Sequence, residues 1–336
     1  MDESRRGKVL VAGGAGYIGS HVTLALAAAG FKPVVLDNLS TGNAAHVGDI
    51  PLIRADISDA DRVAETIREY GINKVLHFAA AIQVEESVAR PWDYYDNNVC
   101  RTLNFLRTCM ANGVRSVVFS STAAVYGIPL ELPVSEKAPL EPINPYGRTK
   151  LVVEMILEDM ARANKDFHYM ALRYFNVAGA DRSGRIGQNY PRATHLITLA
   201  LRAALGLRPE LAVFGTDYPT PDGTAVRDYI DIEDIATLHV RALEALVENP
   251  RNLVMNCGYG HGFSVSEVLE AVRRVTGRDF PVRETGRRPG DPPMLVADSR
   301  RVRKELNWSP EHDDLDAIIS AAWEWERRLQ SRKEGK

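Results

Sequence analysis

The stretch Lys8-Val-Leu-Val-Ala-Gly-Gly-Ala-Gly-Tyr-Ile-Gly-Ser20 decides the fold, because an apolar run, a glycine cluster and a helix-forming segment follow one another without a break. It predicts a strand, a tight turn and a helix arranged to hold a pyrophosphate. Gly13, Gly16 and Gly19 recur every third residue. Lacking a β-carbon, they let the backbone turn sharply, approach phosphate oxygens and pack the new helix on the strand. That helix then directs its free N-terminal amides at the negative charge. A glycine cluster alone also fits an ordinary strand-to-helix turn, so the next strand matters. Pro33-Val-Val-Leu36 ends in Asp37, eighteen residues after Gly19, where a carboxylate accepts hydrogen bonds from adenosine ribose hydroxyls and repels a 2′-phosphate. Together the two signals predict a dinucleotide site that favours NAD over NADP.

At 336 residues the chain is long enough for one large α/β domain or two unequal lobes. A formal net charge of -3 offers nucleic acid no general attraction, and the cluster Arg300-Arg301-Val-Arg303 reads as solvated helix surface. Three cysteines, Cys100, Cys109 and Cys257, lack metal-ligand spacing and read as buried, reduced thiols. No apolar segment of signal-peptide or membrane-span length precedes the first strand, so a cytoplasmic protein is expected. Neither a metal site nor a nucleic-acid or membrane partner is expected.

Strand and helix patterns then alternate. Helices are expected over 17–29, 60–70, 92–111 and 147–163, and strands over 51–55, 74–78, 116–120 and 169–173. Such alternation demands α/β architecture with a doubly wound parallel Rossmann sheet, whose ligands lie beyond the carboxyl ends of the strands. Residues 1–176 are expected to form this dinucleotide-binding domain. From 177 to 336 loops rich in Gly, Pro and Asp interrupt the alternation, notably Phe214-Gly-Thr-Asp-Tyr-Pro-Thr-Pro-Asp-Gly-Thr224. A smaller C-terminal α/β substrate lobe is expected there, with a boundary the chain could cross back over and helices near 194–205, 234–246, 266–276 and 314–329. In the last, Leu315, Ile318, Ile319, Ala322 and Trp325 form one stripe that packs into the lobe, and Trp308 reads as a structural anchor. Leu151-Val-Val-Glu-Met-Ile-Leu157 is apolar on more than one face. The spare face predicts a homodimer in which this helix and the one around 103–110 form an intermolecular four-helix bundle.

Chemistry enters with Ser120-Ser-Thr-Ala-Ala-Val-Tyr-Gly127 after one strand and Pro145-Tyr-Gly-Arg-Thr-Lys150 at the next helix start. Tyr146 and Lys150 are four apart and project from one helix face. A free phenol, with a pKa of about 10, is a poor base at neutral pH, but a neighbouring ammonium and a positive nicotinamide ring both favour the phenolate. Tyr146 is therefore the expected acid–base group for a substrate hydroxyl. Thr122 supplies a hydroxyl to share its hydrogen bond, and Lys150 can also hold the nicotinamide ribose.

With these residues in place, the sequence resembles the extended short-chain dehydrogenase/reductase family over almost its whole length, and within it the sugar-nucleotide 4-epimerases of galactose metabolism. The resemblance is carried by the segments 13–21, 36–39, 77–80, 86–88 and 94–98, by the Thr122, Tyr146 and Lys150 set, and by Arg173-Tyr-Phe-Asn176, 214–224, Val226-Arg-Asp-Tyr-Ile230 and Arg287-Arg-Pro-Gly-Asp291. It implies an isomerase acting on UDP-glucose and UDP-galactose. Tightly held NAD⁺ takes a hydride from sugar C4 while Tyr146 takes the 4-hydroxyl proton, and the 4-keto sugar turns over and receives both back on its other face. It also implies cofactor contacts from Gly13, Gly16, Tyr17, Ile18, Gly19, Asp37 and Asn38, from Asp56 and Ile57 at the adenine, and from Phe78, Ala79 and Ala80. Asn97, Ser120, Tyr146, Lys150 and Tyr174 would surround the nicotinamide end. On the substrate side it implies Thr122, Phe175, His195, Leu196 and Asp291, uridine stacking near Phe214, and Asn176, Arg227 and Arg288 at the diphosphate, where two guanidiniums suit the charge. Leu295 would wall the pocket beside the sugar C2 substituent.

The chain departs from the family pattern at three places: Ile82 stands where many relatives have a lysine that reaches the cofactor, His195 where some have an asparagine, and Asp231 where a histidine is frequent. Dehydratases and decarboxylases of this fold place an acid after the Ser or Thr, whereas Ala123 and Ala124 follow here, which leaves simple epimerisation. Alternatives are a UDP-N-acetylglucosamine or UDP-pentose 4-epimerase, a dehydrogenase with freely exchanging cofactor, and a non-catalytic NAD-binding sensor. The sensor would explain the fold but not the Tyr146–Lys150 pair. Leucine at 295 is smaller than tyrosine and larger than Cys or Ser. It predicts UDP-glucose and UDP-galactose as the main pair, with slower turnover of the N-acetylated pair.

Overall fold

The computed structural model describes residues 6–190, 193–288 and 291–334. Val9 to Ala12 are four successive residues with no exposure, which requires a strand covered on both faces. This strand, β1 (Lys8–Ala12), lies inside the sheet. On one side are β2 (Lys32–Asp37) and β3 (Leu52–Arg54); on the other are β4 (Lys74–His77), β5 (Ser116–Thr122), β6 (His168–Tyr174) and β7 (Leu253–Cys257). Among the described residues they make a seven-stranded sheet of order β7-β6-β5-β4-β1-β2-β3, parallel at every pairing. Alternate side chains feed two cores: Val9, Val11, Leu76 and Val118 face one, Leu10, Ala12, Val75 and Val117 the other. The strand order reverses between β1 and β4. In a doubly wound sheet that switch point is where ligands bind.

Helices α1 (Tyr17–Ala28), α2 (Ala60–Tyr70), α3 (Val84–Ala89), α4 (Pro91–Tyr95), α5 (Arg101–Ala111) and α6 (Pro145–Ala163) connect these strands. α2 follows its sequence signals closely: the Asp59 side chain accepts the Arg62 amide, and left-handed Gly71 ends the helix. The helix expected over 92–111 is instead interrupted by a π turn at Asp96–Cys100. Its extra residue changes which positions face inward, burying Asn98 and exposing Cys100. The expectation of three buried thiols is corrected accordingly. Cys109 and Cys257 are buried, Cys100 is exposed, and all three are free. The six residues of α3 are too few to show a helical period in sequence.

After residue 176 the chain crosses back onto the sheet. Following α7 (Leu196–Ala204), helix α8 (Ile232–Glu248) packs on α1, β5 and β6, and β7 then adds the edge strand beside β6. Around these lie short strands at Leu211–Phe214, Val226–Arg227, Phe263–Ser264, Val282–Thr285 and Met294–Leu295. They are joined by α9 (Val265–Thr276), with its Ser264–Glu267 capping box, and followed by α10 (Arg300–Glu305) and α11 (Leu315–Glu334). The apolar stripe of α11 and Trp308 are buried. Asp231 also acquires a physical account. Its wholly buried carboxylate caps α8 by accepting the Glu233 amide at 2.7 Å and pairs with Arg182 at 3.1 Å. No described helix is long and apolar enough to cross a membrane.

Candidate active site

A cavity of about 1010 Å³ opens at the switch point. Its floor is the glycine turn. Gly13 has φ 78°, and a β-carbon there would lie 2.6 Å from the Ala79 amide nitrogen; one at Gly19 would lie 2.1 Å from the Gly13 carbonyl oxygen. Both contacts are impossible, so these two glycines are what allow β1, the loop after β4 and α1 to close together. Gly16 caps α1 without a side chain, leaving first-turn amides available to an anion.

One end of the cavity is acidic. Asp37 accepts the Ala15 amide at 2.9 Å on one oxygen and the Leu39 amide at 2.8 Å on the other, which fixes the carboxylate at the end of β2 with lone pairs left over for hydroxyl donors. Beside it Asn38 donates to Asp56 at 2.8 Å, and Arg101 reaches Asp56 at 3.2 Å. The π turn supplies the next wall. Buried Asn98 grips the loop after β4 by accepting the Ala81 amide and donating to the Ala81 carbonyl, while Asn97 lines the cavity. Ile82, on that gripped loop, faces the cavity as a half-exposed apolar side chain.

The other end carries the acid–base groups. Pro145 opens α6 and Asn144 caps it by accepting the Gly147 amide at 2.8 Å. A β-carbon on Gly147 would sit 2.5 Å from the Ala124 carbonyl oxygen, so glycine lets the helix start press against the turn after β5. Tyr146 is thereby brought to Thr122, whose hydroxyl hydrogen-bonds the phenol. Thr122 Oγ1 already accepts the Ala124 amide at 3.2 Å, which frees its proton for the Tyr146 oxygen. Lys150 is buried, donates to the Ser120 carbonyl at 2.7 Å and stands 4.9 Å over the Phe119 ring. Burial lowers its pKa to about 7 against the raising influence of Glu154. Glu154 is itself held by Arg173 at 2.6 Å and by the Ser121 hydroxyl. The expectation that the Tyr146 phenol is lowered meets an opposing force here, since burial raises it while only the Thr122 hydrogen bond lowers it.

Thr122, Phe175, Asn176, His195, Phe214, Arg227, Arg288, Asp291 and Leu295 all reach this cavity, as do all seventeen expected cofactor residues from Gly13 to Tyr174. Leu196 does not. It lines a small separate cavity behind Asn176 and His195, because α7 begins at Leu196 and its first turn faces α11. Arg227 contacts Asp291 and donates to the Pro292 carbonyl at 2.7 Å. The Arg288 guanidinium lies 3.9 Å over the Phe214 ring, on a face where the nucleobase was expected. His195 also gains an account: Gln188 bonds its Nδ1 at 2.7 Å, and Thr198 bonds Gln188 in turn. Sequence reasoning missed Tyr190, whose hydroxyl approaches the Tyr17 amide at 3.4 Å, and Val84 and Val88 of α3, which line the mouth. Tyr190 lies outside any motif. Segment 86–88 carried the resemblance but, in a helix of six residues, no period that would have placed Val84 and Val88 at the mouth.

The shape and chemistry suit a dinucleotide. Bare backbone lies where phosphates would pass, a fixed carboxylate stands at one end, and apolar Ile57 and Phe78 lie between polar groups. Comparison with known proteins agrees. The model of the NAD dependent epimerase/dehydratase family matches residues 9–258. The UDP-glucose 4-epimerase of Azospirillum brasilense is 51% identical over 324 residues, 96% of this chain and 93% of that protein. The crystal structure of UDP-glucose-4-epimerase from Stenotrophomonas maltophila, with bound NAD and formylated UDP-arabinopyranose, has a TM-score of 0.94 at 41% identity, covering 97% of this chain and 99% of that one. That of the Brucella ovis enzyme in complex with NAD has a TM-score of 0.92 at 46% identity, covering 95% and 98%. With a seven-stranded Rossmann sheet, a dinucleotide-shaped cavity at its switch point and a curated relative matched over 96% of its length, this chain belongs to the NAD dependent epimerase/dehydratase family.

Proposed function

We propose that the protein interconverts UDP-glucose and UDP-galactose by NAD-dependent epimerisation at sugar C4. The observation that carries this reading is the meeting of Tyr146, Thr122 and Lys150 at one end of a dinucleotide-shaped cavity, in a chain with a 51% identical UDP-glucose 4-epimerase relative. NAD⁺, when bound, supplies the two-electron oxidation of C4 and its reversal. The chain's own residues do the rest. Tyr146, as the phenolate, takes the 4-hydroxyl proton and later returns it, with the Thr122 hydroxyl donating to the phenolate oxygen before the transfer and after the return. Lys150, fixed by the Ser120 carbonyl, adds positive charge on the same face of α6. Gly13, Gly16 and Gly19 with the α1 amides receive the pyrophosphate, and Asp37 receives ribose hydroxyls. Arg227 and Arg288 hold the substrate diphosphate, which must compete with Asp291 for Arg227. Ala123 and Ala124 supply no acid after Thr122, so this stretch offers no catalyst for elimination.

Residues 1–176 supply the cofactor side of this site and, with Thr122, Phe175 and Asn176, part of the substrate side, which 177–336 complete, while α8 and β7 return to the sheet. A homodimer through α5 and α6 accompanies this reading: Met155 and Leu103, on these helices, are about half exposed, apolar side chains left uncovered by the described residues. Met155→Glu should convert a dimer to a monomer in sedimentation. The three free cysteines fit an enzyme of the cytoplasm. The functional reading is tested by incubating purified protein with UDP-glucose and no added NAD⁺, then separating the products. UDP-galactose should accumulate to equilibrium without net NADH; no conversion, or strict dependence on NADP⁺, would refute the proposal.

A further inference from the structure

Tyr146 and Tyr174 both present buried phenols to the same end of the cavity. Their surroundings assign them opposite hydrogen-bond directions. The Tyr174 hydroxyl, at the end of β6, meets Nε2 of His239 on α8. His239 is wholly buried, and its Nδ1 lies 2.8 Å from the Ile235 carbonyl oxygen one turn back. A carbonyl only accepts, so Nδ1 carries the proton, and Nε2 of the neutral ring is an acceptor. Burial keeps the ring neutral, lowering its pKa to about 4. Tyr174 must therefore donate to His239, and the Ser120 hydroxyl that hydrogen-bonds Tyr174 must donate in turn. Among the described residues Tyr146 has no such acceptor behind it and instead meets the Thr122 hydroxyl. The Phe78 ring, 5.0 Å from the imidazole, holds His239 from the cavity side.

We propose that His239 is a positioning residue that draws the Tyr174 hydroxyl proton out of the cavity, so that of the two phenols only Tyr146 exchanges protons with the sugar while Tyr174 presents its remaining lone pair to the nicotinamide end of the cofactor. The inference rests on the function proposed above and adds to it a reason why two phenols at one site do not compete. Without the imidazole acceptor, the Tyr174 proton would turn into the cavity, where it would compete for the same hydrogen bonds.

The test compares holoenzymes carrying His239→Phe, His239→Asn, His239→Gln, Tyr174→Phe and Tyr174→Phe/His239→Phe. Phenylalanine keeps a flat ring against Phe78 but accepts nothing, asparagine is too short to reach Tyr174, and glutamine places an oxygen near the Nε2 position. His239→Phe and His239→Asn should each lower kcat about tenfold with KM little changed, the size expected for one misdirected hydrogen bond. Glutamine should restore activity to within about threefold of the parent, and His239→Phe should cause no further loss once the Tyr174 hydroxyl is gone. Retention of bound NAD⁺ through gel filtration gives a second readout, independent of sugar chemistry, which should weaken in the Phe and Asn variants and recover in the Gln variant. Glutamine as impaired as phenylalanine, or penalties that multiply in the double variant, would overturn the proposal. A parent protein that retains NAD⁺ but does not epimerise UDP-glucose would instead refute the functional reading, and the retention series would still decide the role of His239.

Discussion

Replacing Lys150 by methionine should abolish turnover and at the same time stabilise the nucleotide-free protein. Lys150 is 3% exposed, and burial lowers its pKa from 10.5 to about 7. Between those values the folded protein binds fewer protons than the unfolded chain, so stability rises with pH across the window and is diminished at pH 7. At about 1.36 kcal/mol per unit, the penalty at pH 7 is about 4 kcal/mol. Methionine fills similar volume and removes that penalty, but it also loses the bond to the Ser120 carbonyl, worth about 1 kcal/mol. The net gain is about 3 kcal/mol. For a chain of 336 residues this corresponds to a rise in Tm of about 4 °C. Denaturant titrations of nucleotide-free protein at pH 7, 8 and 9 provide the assay. The parent should gain about 2 kcal/mol from pH 7 to 9, and the methionine variant should lack this slope. A variant less stable than the parent, or an unchanged slope, would show that Lys150 is not held as a desolvated cation.

Tyr146→Phe should retain UDP and cofactor binding while losing about 10²–10⁴-fold in kcat; near-normal turnover would remove Tyr146 as the proton carrier. Leu295→Tyr should suppress turnover of UDP-N-acetylglucosamine and spare UDP-glucose, since Leu295 packs with Phe175 and Ala123 while facing the cavity. An unchanged ratio of kcat/KM for the two substrates would show that it does not face the sugar. Burial lowers the pKa of His21 and of His239 to about 4 and that of His77 to about 3. The stability these neutral rings contribute is complete above the ordinary value of about 6.5 and lost as pH falls toward 4 and then 3. On unfolding at pH 5 these rings should therefore take up about three protons from solvent, measured by calorimetry in buffers of different ionisation enthalpy. Uptake below one would contradict the assignment.

Much of the site was legible because its determinants are local. The glycine turn, Asp37 and the Tyr146–Lys150 spacing each lie within one strand-turn-helix unit, where backbone geometry follows directly from sequence. What escaped depends on distant segments. β7 is recruited from residue 253 onward to lie beside β6, an adjacency no short window reveals. The π turn at Asp96–Cys100 redirects Asn98 and Cys100 through one extra residue in a helix whose pattern otherwise reads as continuous. Leu196 looked equivalent to its neighbour His195, yet the start of α7 separates them, turning one into a different cavity. Asp231 and His195 were unexplained in sequence because their partners, Arg182 and Gln188, lie on a loop with no regular pattern.

The central claim is that the hydrogen on C4 and the hydroxyl proton travel separately, the first kept within the site and the second through Tyr146. UDP-glucose deuterated at C4 tests it in a single measurement. Incubated in ordinary water without added NAD⁺, it should yield UDP-galactose that keeps the deuterium at C4, with no label in solvent. Loss of the label to water would mean that C4 is deprotonated rather than oxidised, and would contradict the account.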